Sequence, residues 1–192
     1  MSKVLVIDNY DSFTYNLVHI LRELDMVEDM EVHRNDKISV DYADKFDHIL
    51  LSPGPGLPKD AGIMPEVISR YSQTKNILGV CLGHQGISEN FGGELFNLPQ
   101  VFHGVATEAF LTDQKDELFS ELPDKFMVCR YHSWAVVPSN LPKELIVTVR
   151  DEKGNVMAVR HEKYNVRGVQ FHPESIMTEH GIKMISNWLS IN

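Results

Sequence analysis

Along the first half of the chain, short continuous apolar runs alternate with longer amphipathic stretches. Residues 3–7 (Lys-Val-Leu-Val-Ile) carry the run expected of a strand covered on both faces. It ends in a polar and aromatic loop, Asp8-Asn9-Tyr10-Asp11-Ser12-Phe13. Leu17, Ile20, Leu21 and Leu24 then recur at helical spacing. Glu31-Val32-His33-Arg34 reads as a second strand and His48-Ile49-Leu50-Leu51 as a third. A helix over 64–73, with Pro65 near its first turn, leads into a fourth strand, Ile77-Leu78-Gly79-Val80. Directly beyond it, 84–91 can run as a helix, with Ile87 and Phe91 on one face and Gly92-Gly93 as its stop. This order predicts an α/β fold with a mostly parallel central sheet flanked by helices.

From Gly93 onward the pattern changes. Short β-like runs appear around 101–111, 126–130, 145–150, 156–161 and 166–171, separated by Pro, Gly or Asn. Asp151-Glu152-Lys153-Gly154-Asn155 looks like a hairpin turn between two of them. A last helix at 178–190 places Ile182, Ile185 and Leu189 on one side. With no linker, repeat or low-complexity tract, the expectation is one domain over 1–192.

Composition narrows the function classes. A formal net charge of -9 argues against a nucleic-acid partner, since phosphate binding needs a basic face. The 2 cysteines, Cys81 and Cys129, do not resemble a secreted disulfide framework. Asp8 interrupts the apolar start before it could act as a signal sequence, and no apolar stretch approaches membrane-spanning length. A cytoplasmic protein with a free Cys81 is expected, with no membrane partner.

Ligands of a parallel sheet sit beyond the carboxyl ends of its strands, and four polar or glycine-rich stretches fall at such ends. In Gly79-Val80-Cys81-Leu82-Gly83, a cysteine stands at a strand-to-helix turn with a glycine two residues away on each side. That is the pattern of a nucleophile elbow, whose tight turn demands small neighbours, and the positive end of the following helix favours a thiolate. A buried, inert cysteine is the plainer alternative. Ser52-Pro53-Gly54-Pro55-Gly56-Leu57-Pro58 fixes an unusual backbone path that lets a substrate approach N–H groups, or is simply a rigid loop. Arg130-Tyr131-His132-Ser133-Trp134 clusters polar and aromatic groups. In Gly168-Val169-Gln170-Phe171-His172-Pro173-Glu174, a strand delivers His172 to its end and Glu174 is placed to reach the imidazole, giving a cysteine both a base and a group that orients it, or the His-x-Glu is simply a solvated loop.

All four stretches together carry a resemblance that no one of them could. Ser52-Pro53-Gly54-Pro55-Gly56, Gly79-Val80-Cys81-Leu82-Gly83-His84-Gln85 and Phe171-His172-Pro173-Glu174 resemble the three signatures of class I, triad-type glutamine amidotransferases. Asp8-Asn9-Tyr10-Asp11-Ser12-Phe13-Thr14-Tyr15-Asn16 and Arg130-Tyr131-His132-Ser133 narrow it to the glutaminase component of anthranilate or aminodeoxychorismate synthase. The resemblance spans essentially the whole chain and implies a flavodoxin-like domain. It implies Cys81 as nucleophile on the glutamine carboxamide, His172 as its proton-transfer partner and Glu174 as the group that holds the imidazole. The N–H groups of Leu82 and Gly54 would form the oxyanion hole, while Gly54, Pro55, Gly56, Gln85, Ser133 and Trp134 match glutamine-contacting positions. Ammonia would pass to a separate chorismate-using synthase subunit, and Mg2+ would be used by that partner, with no cofactor in this chain.

Several residues receive plainer assignments. His84 adjoins the nucleophile, but a helix-start position directs it away from the thiolate, so His172 is preferred as the base. His161, His172 and His180 lack compact ligand spacing, and no metal is expected. Trp188 is assigned to the core, Cys129 to structure and the acidic 113–125 stretch to a solvated surface. Tyr10 and Phe13, on the same rim as the elbow, are candidate anchors for the partner or caps of the core. Two other classes of function stay open: a stand-alone cysteine hydrolase on the same fold, and a silent regulatory subunit. The first would need no partner, and the intact Cys81, His172 and Glu174 set speaks against the second.

Overall fold

The computed structural model describes residues 2–191. In chain order the main elements are β1 (Ser2–Asp8), α1 (Thr14–Glu23), β2 (Val27–Arg34), β3 (His48–Leu51), α2 (Met64–Tyr71), β4 (Asn76–Val80) and α3 (Leu82–Asn90). The rest are β5 (Leu95–Asn97), β6 (Val105–Leu111), β7 (Lys125–Arg130), β8 (Trp134–Val136), β9 (Leu145–Asp151), β10 (Val156–His161), β11 (Val166–Val169) and α4 (Gly181–Ser190).

One 9-stranded sheet runs in the order β2-β1-β3-β4-β11-β10-β9-β6-β7. From β2 to β11 every pairing is parallel, and from β11 to β7 every pairing is antiparallel. The fold is thus α/β, and β1, β3 and β4 are buried on both faces as their apolar runs require, while the edge strand β2 is only partly buried. Alternation along β1 divides the core: Val4 and Val6 join Leu17, Leu21, Ile185 and Trp188 on the α1 and α4 side. Leu5 and Ile7 face the other way, toward Met64, Val67, Ile68 and Ile87 of α2 and α3. No helix among the described residues is long and apolar enough to cross a membrane.

Differences from the sequence reading are local. The last helix begins at Gly181, because 173–180 is committed to holding the His172 segment: Thr178 Oγ1 donates to the His172 carbonyl at 2.6 Å and accepts from Cys129 N–H at 2.9 Å. Ile182 is 55% exposed, and Met184, Ile185, Trp188 and Leu189 make the buried face of α4 instead. The acidic 113–125 stretch is not wholly solvated either. Leu118 and Phe119 are buried, and the Asp116 carboxylate takes a 2.8 Å bond from the buried Arg167 guanidinium. The pair β5 and β8, three residues each, is too short to leave a periodic signal.

Candidate active site

Cys81 occupies the strained turn between β4 and α3, at φ 53° and ψ -98°. That left-handed φ costs a non-glycine residue energy and persists only where the surroundings over-determine it. Here its N–H is fixed to the Val169 carbonyl at 2.8 Å, and the flanking glycines admit no side chain. A Cβ on Gly79 would lie 2.4 Å from the Gly83 carbonyl carbon, and one on Gly83 would lie 2.6 Å from the Leu51 carbonyl oxygen. Helix α3 therefore packs directly on the strand ends, and its first N–H groups, without intrahelical acceptors, surround the cysteine.

The loop after β3 is shaped from β1. Asn9 N–H donates to Ser52 Oγ at 2.8 Å, Asn9 Nδ2 donates to the Ser52 carbonyl at 2.8 Å, and Asn35 Nδ2 holds Asn9 Oδ1 at 3.0 Å. Gly54 then passes so close that a Cβ would meet Asn9 O at 2.6 Å and Leu82 Cδ2 at 2.8 Å. The Gly54 backbone is thereby held against Asn9 and the Leu82 side chain, and Gly54 lines the same cavity as Cys81.

His172 arrives on the extended chain beyond β11, its N–H bonded to the Cys129 carbonyl at 3.0 Å. Its Nδ1–H donates to Glu174 Oε1 at 2.6 Å, and both side chains are almost fully buried. Nε2 is buried and makes no hydrogen bond among the described residues, which leaves it for a reacting proton. Burial pushes the imidazole down, but interactions with Cys81 and Glu174 more than reverse this and raise it to about 10. Phe13 and Tyr131 flank the ring, with centroids 5.6 and 5.2 Å away. Phe13 is thus half-buried against the triad, whereas Tyr10 is 47% exposed, its hydroxyl donating to Asp36 and its ring beneath Arg34.

His84, the rival base, is fully buried against Gly168, where a Cβ would lie 2.7 Å from its Nδ1. Burial pushes it down to about 4, so it is neutral, and it does not line the cavity that holds Cys81.

A cavity of about 210 Å³ opens over the sulfur, lined by Gly54, Pro55, Gly56, Cys81, Gln85, Val101, Phe102, His103 and the 131–134 segment. Every expected glutamine-contacting residue except Leu82 is in this lining. No Asp, Glu, Lys or Arg contributes, so a zwitterion can be gripped by backbone and neutral groups alone. The 131–134 wall is anchored by buried charge. Arg130 Nη1 pairs with Asp151 Oδ2 at 2.9 Å, and Arg130 Nε donates to His132 Nε2 at 3.0 Å. His132 Nδ1–H then donates to the Trp134 carbonyl at 2.8 Å. Burial, followed by the Arg130 charge, pushes His132 down to about 3, which keeps it the neutral acceptor this chain needs.

The model of the family described as "Glutamine amidotransferase class-I" matches residues 5–191. The chain belongs to that family. Among class-I relatives it is 42% identical over 188 residues to the aminodeoxychorismate/anthranilate synthase component 2 of Bacillus subtilis, covering 97% of this chain and 95% of that one. It is 39% identical to a bifunctional protein TrpGD of Thermotoga maritima, where it covers 100% of this chain but spans only 32% of the relative. A crystal structure from Thermoplasma acidophilum, described as that of a GMP synthase subunit, superposes with a TM-score of 0.87 at 25% identity, covering 99% of this chain and 93% of that one.

Three features of this class-I site escaped the sequence reading. Tyr131 presents its carbonyl to Cys81 Sγ at 3.8 Å, the 101–103 segment closes the cavity, and Gln170 reaches the sulfur from below. The first two come from 130–134, where only the side chains stood out, and from 101–103, read as part of a strand that in fact begins at Val105. Gln170 had a signal, an amide between the apolar Val169 and Phe171, because a buried polar group demands a partner.

Proposed function

We propose that this chain is the glutaminase subunit of anthranilate synthase, releasing ammonia from L-glutamine for a chorismate-using synthase subunit in tryptophan biosynthesis. The observation that carries it is the strained Cys81, which lines a cavity without Asp, Glu, Lys or Arg and interacts with a His172 held by Glu174. His172 takes the thiol proton on Nε2, and sulfur attacks the carboxamide carbon. The carbonyl oxygen becomes an oxyanion, taken up by the Leu82 and Gly54 N–H groups; loss of one such donor costs ~3 kcal/mol of barrier. Collapse breaks the C–N bond as His172 returns its proton to the departing ammonia. Water, deprotonated by the same nitrogen, then cleaves the thioester to glutamate and restores the thiol. Glu174 holds the imidazole and stabilises its charged form. Gly54, Pro55, Gly56, Gln85, Ser133 and Trp134 grip the amino-acid end of the substrate. None of these steps calls on a metal or cofactor in this chain, and any Mg2+ belongs to the synthase partner.

The test is to combine the protein with each candidate synthase subunit, glutamine and chorismate, and to identify the product. Anthranilate is expected. Aminodeoxychorismate is the second reading, favoured by the Bacillus relative whose name joins both activities, and only the other product with the other partner overturns the first. Ammonia escapes protonation only if the partner docks over the carboxyl-end face of the parallel strands, where the loop after β1 exposes Tyr10. Tyr10→Ala is therefore expected to raise the partner's dissociation constant with unchanged circular dichroism; an unchanged constant would put the interface elsewhere.

A further inference from the structure

Gln170 lies one residue beyond β11, completely buried, its N–H bonded to the Met157 carbonyl at 2.8 Å. Its side chain turns toward the elbow, and Nε2 stands 3.6 Å from Cys81 Sγ. An amide is ambiguous in general, because its oxygen and nitrogen are alike in shape. Here the neighbours settle it. The Trp134 carbonyl can only accept, so the atom of Gln85 bonded to it at 2.9 Å is the Nε2 donor. That same Nε2 meets Gln170 at 3.1 Å, which makes the facing atom of Gln170 its Oε1. The remaining atom, Nε2 with its N–H, is thereby aimed at the sulfur.

The sulfur has two polar neighbours of opposite kind. The Tyr131 carbonyl, at 3.8 Å, can receive the proton of a thiol but repels a thiolate. The Gln170 amide donates, and a donor binds the thiolate more strongly than the thiol. When His172 takes the proton, the Tyr131 contact is lost and the Gln170 contact strengthens.

We propose that Gln170 is a further catalytic residue: its side-chain N–H stabilises and aims the Cys81 thiolate, with the amide locked in that orientation by Gln85 and the Trp134 carbonyl. The role deepens the glutaminase reading and rests on it for the identity of the substrate. Because Gln85 also lines the cavity, the carbonyl of Trp134, Gln85 and Gln170 join the substrate wall to the nucleophile in one line of hydrogen bonds.

The test reads the sulfur directly, by the pH dependence of Cys81 alkylation with iodoacetamide in the full chain, using Cys129→Ala as background. Gln170→Met keeps the length and loses the donor. A hydrogen bond to a charged group of ordinary strength predicts an upward shift of the alkylation midpoint by about one pH unit. Gln170→Glu sets a carboxylate against the thiolate and is expected to shift it further. Gln85→Met leaves the donor but frees the amide to rotate, so its shift has the same direction and is smaller. Should Gln170→Met fail to fold, as circular dichroism would reveal, Gln85→Met and Gln170→Glu carry the same test. In the reconstituted complex Gln170→Met is expected to lower kcat about tenfold, with KM changed much less. Unshifted alkylation in a folded Gln170→Met protein, or a shift downward in Gln170→Glu, overturns the proposal. Alkylation needs no glutamine and no partner, so failure of the glutaminase reading would leave this result standing on its own.

Discussion

The parallel strands supply their share of the site through backbone geometry, whereas the antiparallel strands supply theirs through buried charge. At the ends of β1, β3 and β4, tight approaches of main chain to main chain hold Cys81 at φ 53° and press Gly54 against the Asn9 carbonyl. Across the sheet, β7 and β9 bury an Arg130–Asp151 pair from which His132 and the Trp134 carbonyl hang. His172 lies on the seam, emerging from parallel β11 yet bonded through its N–H to β7. A nucleophile needs one exact and strained geometry, which close packing provides. A substrate wall needs neutral surface over a rigid support, and a buried ion pair set back from the cavity gives both.

Removing the nucleophile breaks the comparison most severely. Cys81→Ala is expected to cut glutamine-dependent synthesis by about 10⁴-fold or more, while ammonia-dependent synthesis by the partner stays nearly intact. Equal losses with the two nitrogen donors would mean that chorismate chemistry depends on this chain for more than ammonia.

The seam comes next. His172→Asn removes a proton-transfer group and is expected to cost ~10²–10⁴-fold in glutaminase rate. Glu174→Gln should cost less, because a neutral amide oxygen can still accept from Nδ1–H at the position now 2.6 Å away. A rate for Glu174→Gln below that of His172→Asn would make the carboxylate, rather than the imidazole, the group that limits proton transfer.

The wall should respond differently from either. Asp151→Asn leaves the buried Arg130 charge without its partner, and breaking such a pair typically costs about 3–5 kcal/mol of stability. In the complex, KM for glutamine is expected to rise more than kcat falls, since the 131–134 segment lines the cavity directly but meets the sulfur only at 3.8 Å and through Gln85 and Gln170. Urea unfolding and steady-state kinetics check both halves of this prediction. A pure kcat effect would mean that the wall acts on the nucleophile, as it would through Trp134, Gln85 and Gln170.

These halves also differ in how far the amino-acid order announces them. β1, β3 and β4 are short apolar runs ending in punctuated loops, and the glycines around Cys81 mark the elbow, so the nucleophile and its sheet position were legible. His172 and Glu174 were legible as a pair because two residues of spacing and one proline leave little freedom. The cavity wall was legible only in part: Gly54, Pro55, Gly56, Gln85 and 131–134 stood out as motifs, whereas the way they are joined and closed over did not. β5 and β8 are three-residue strands, and 101–103 reaches the site by backbone bonds such as Phe102 N–H to the His132 carbonyl at 3.0 Å. The Arg130–Asp151 pair joins positions on different strands, and nothing local to either residue names its partner. Ile182 was misplaced because the helix starts at Gly181, after a segment diverted to tertiary bonds.

The smallest expected effect distinguishes the two sides by pH. His84 on the parallel side and His132 on the antiparallel side are both buried neutral, at about 4 and about 3, against about 6.5 in an unfolded chain. As pH falls below about 6.5, the unfolded chain takes up these protons before the folded one, so stability declines on acidification. The His84 contribution levels off near 4 and that of His132 near 3. His172 has the opposite sign: raised to about 10, it stabilises the fold fully below about 6.5 and loses that contribution as pH climbs through 10. Urea-unfolding free energies should therefore fall on both sides of neutrality. His84→Leu should reduce the acid slope by up to about 1.4 kcal/mol per pH unit while leaving the alkaline side alone, and His172→Gln should flatten only the alkaline side. An acid slope untouched by His84→Leu would assign the acid loss to the wall, where His132→Leu is the variant that should then remove it.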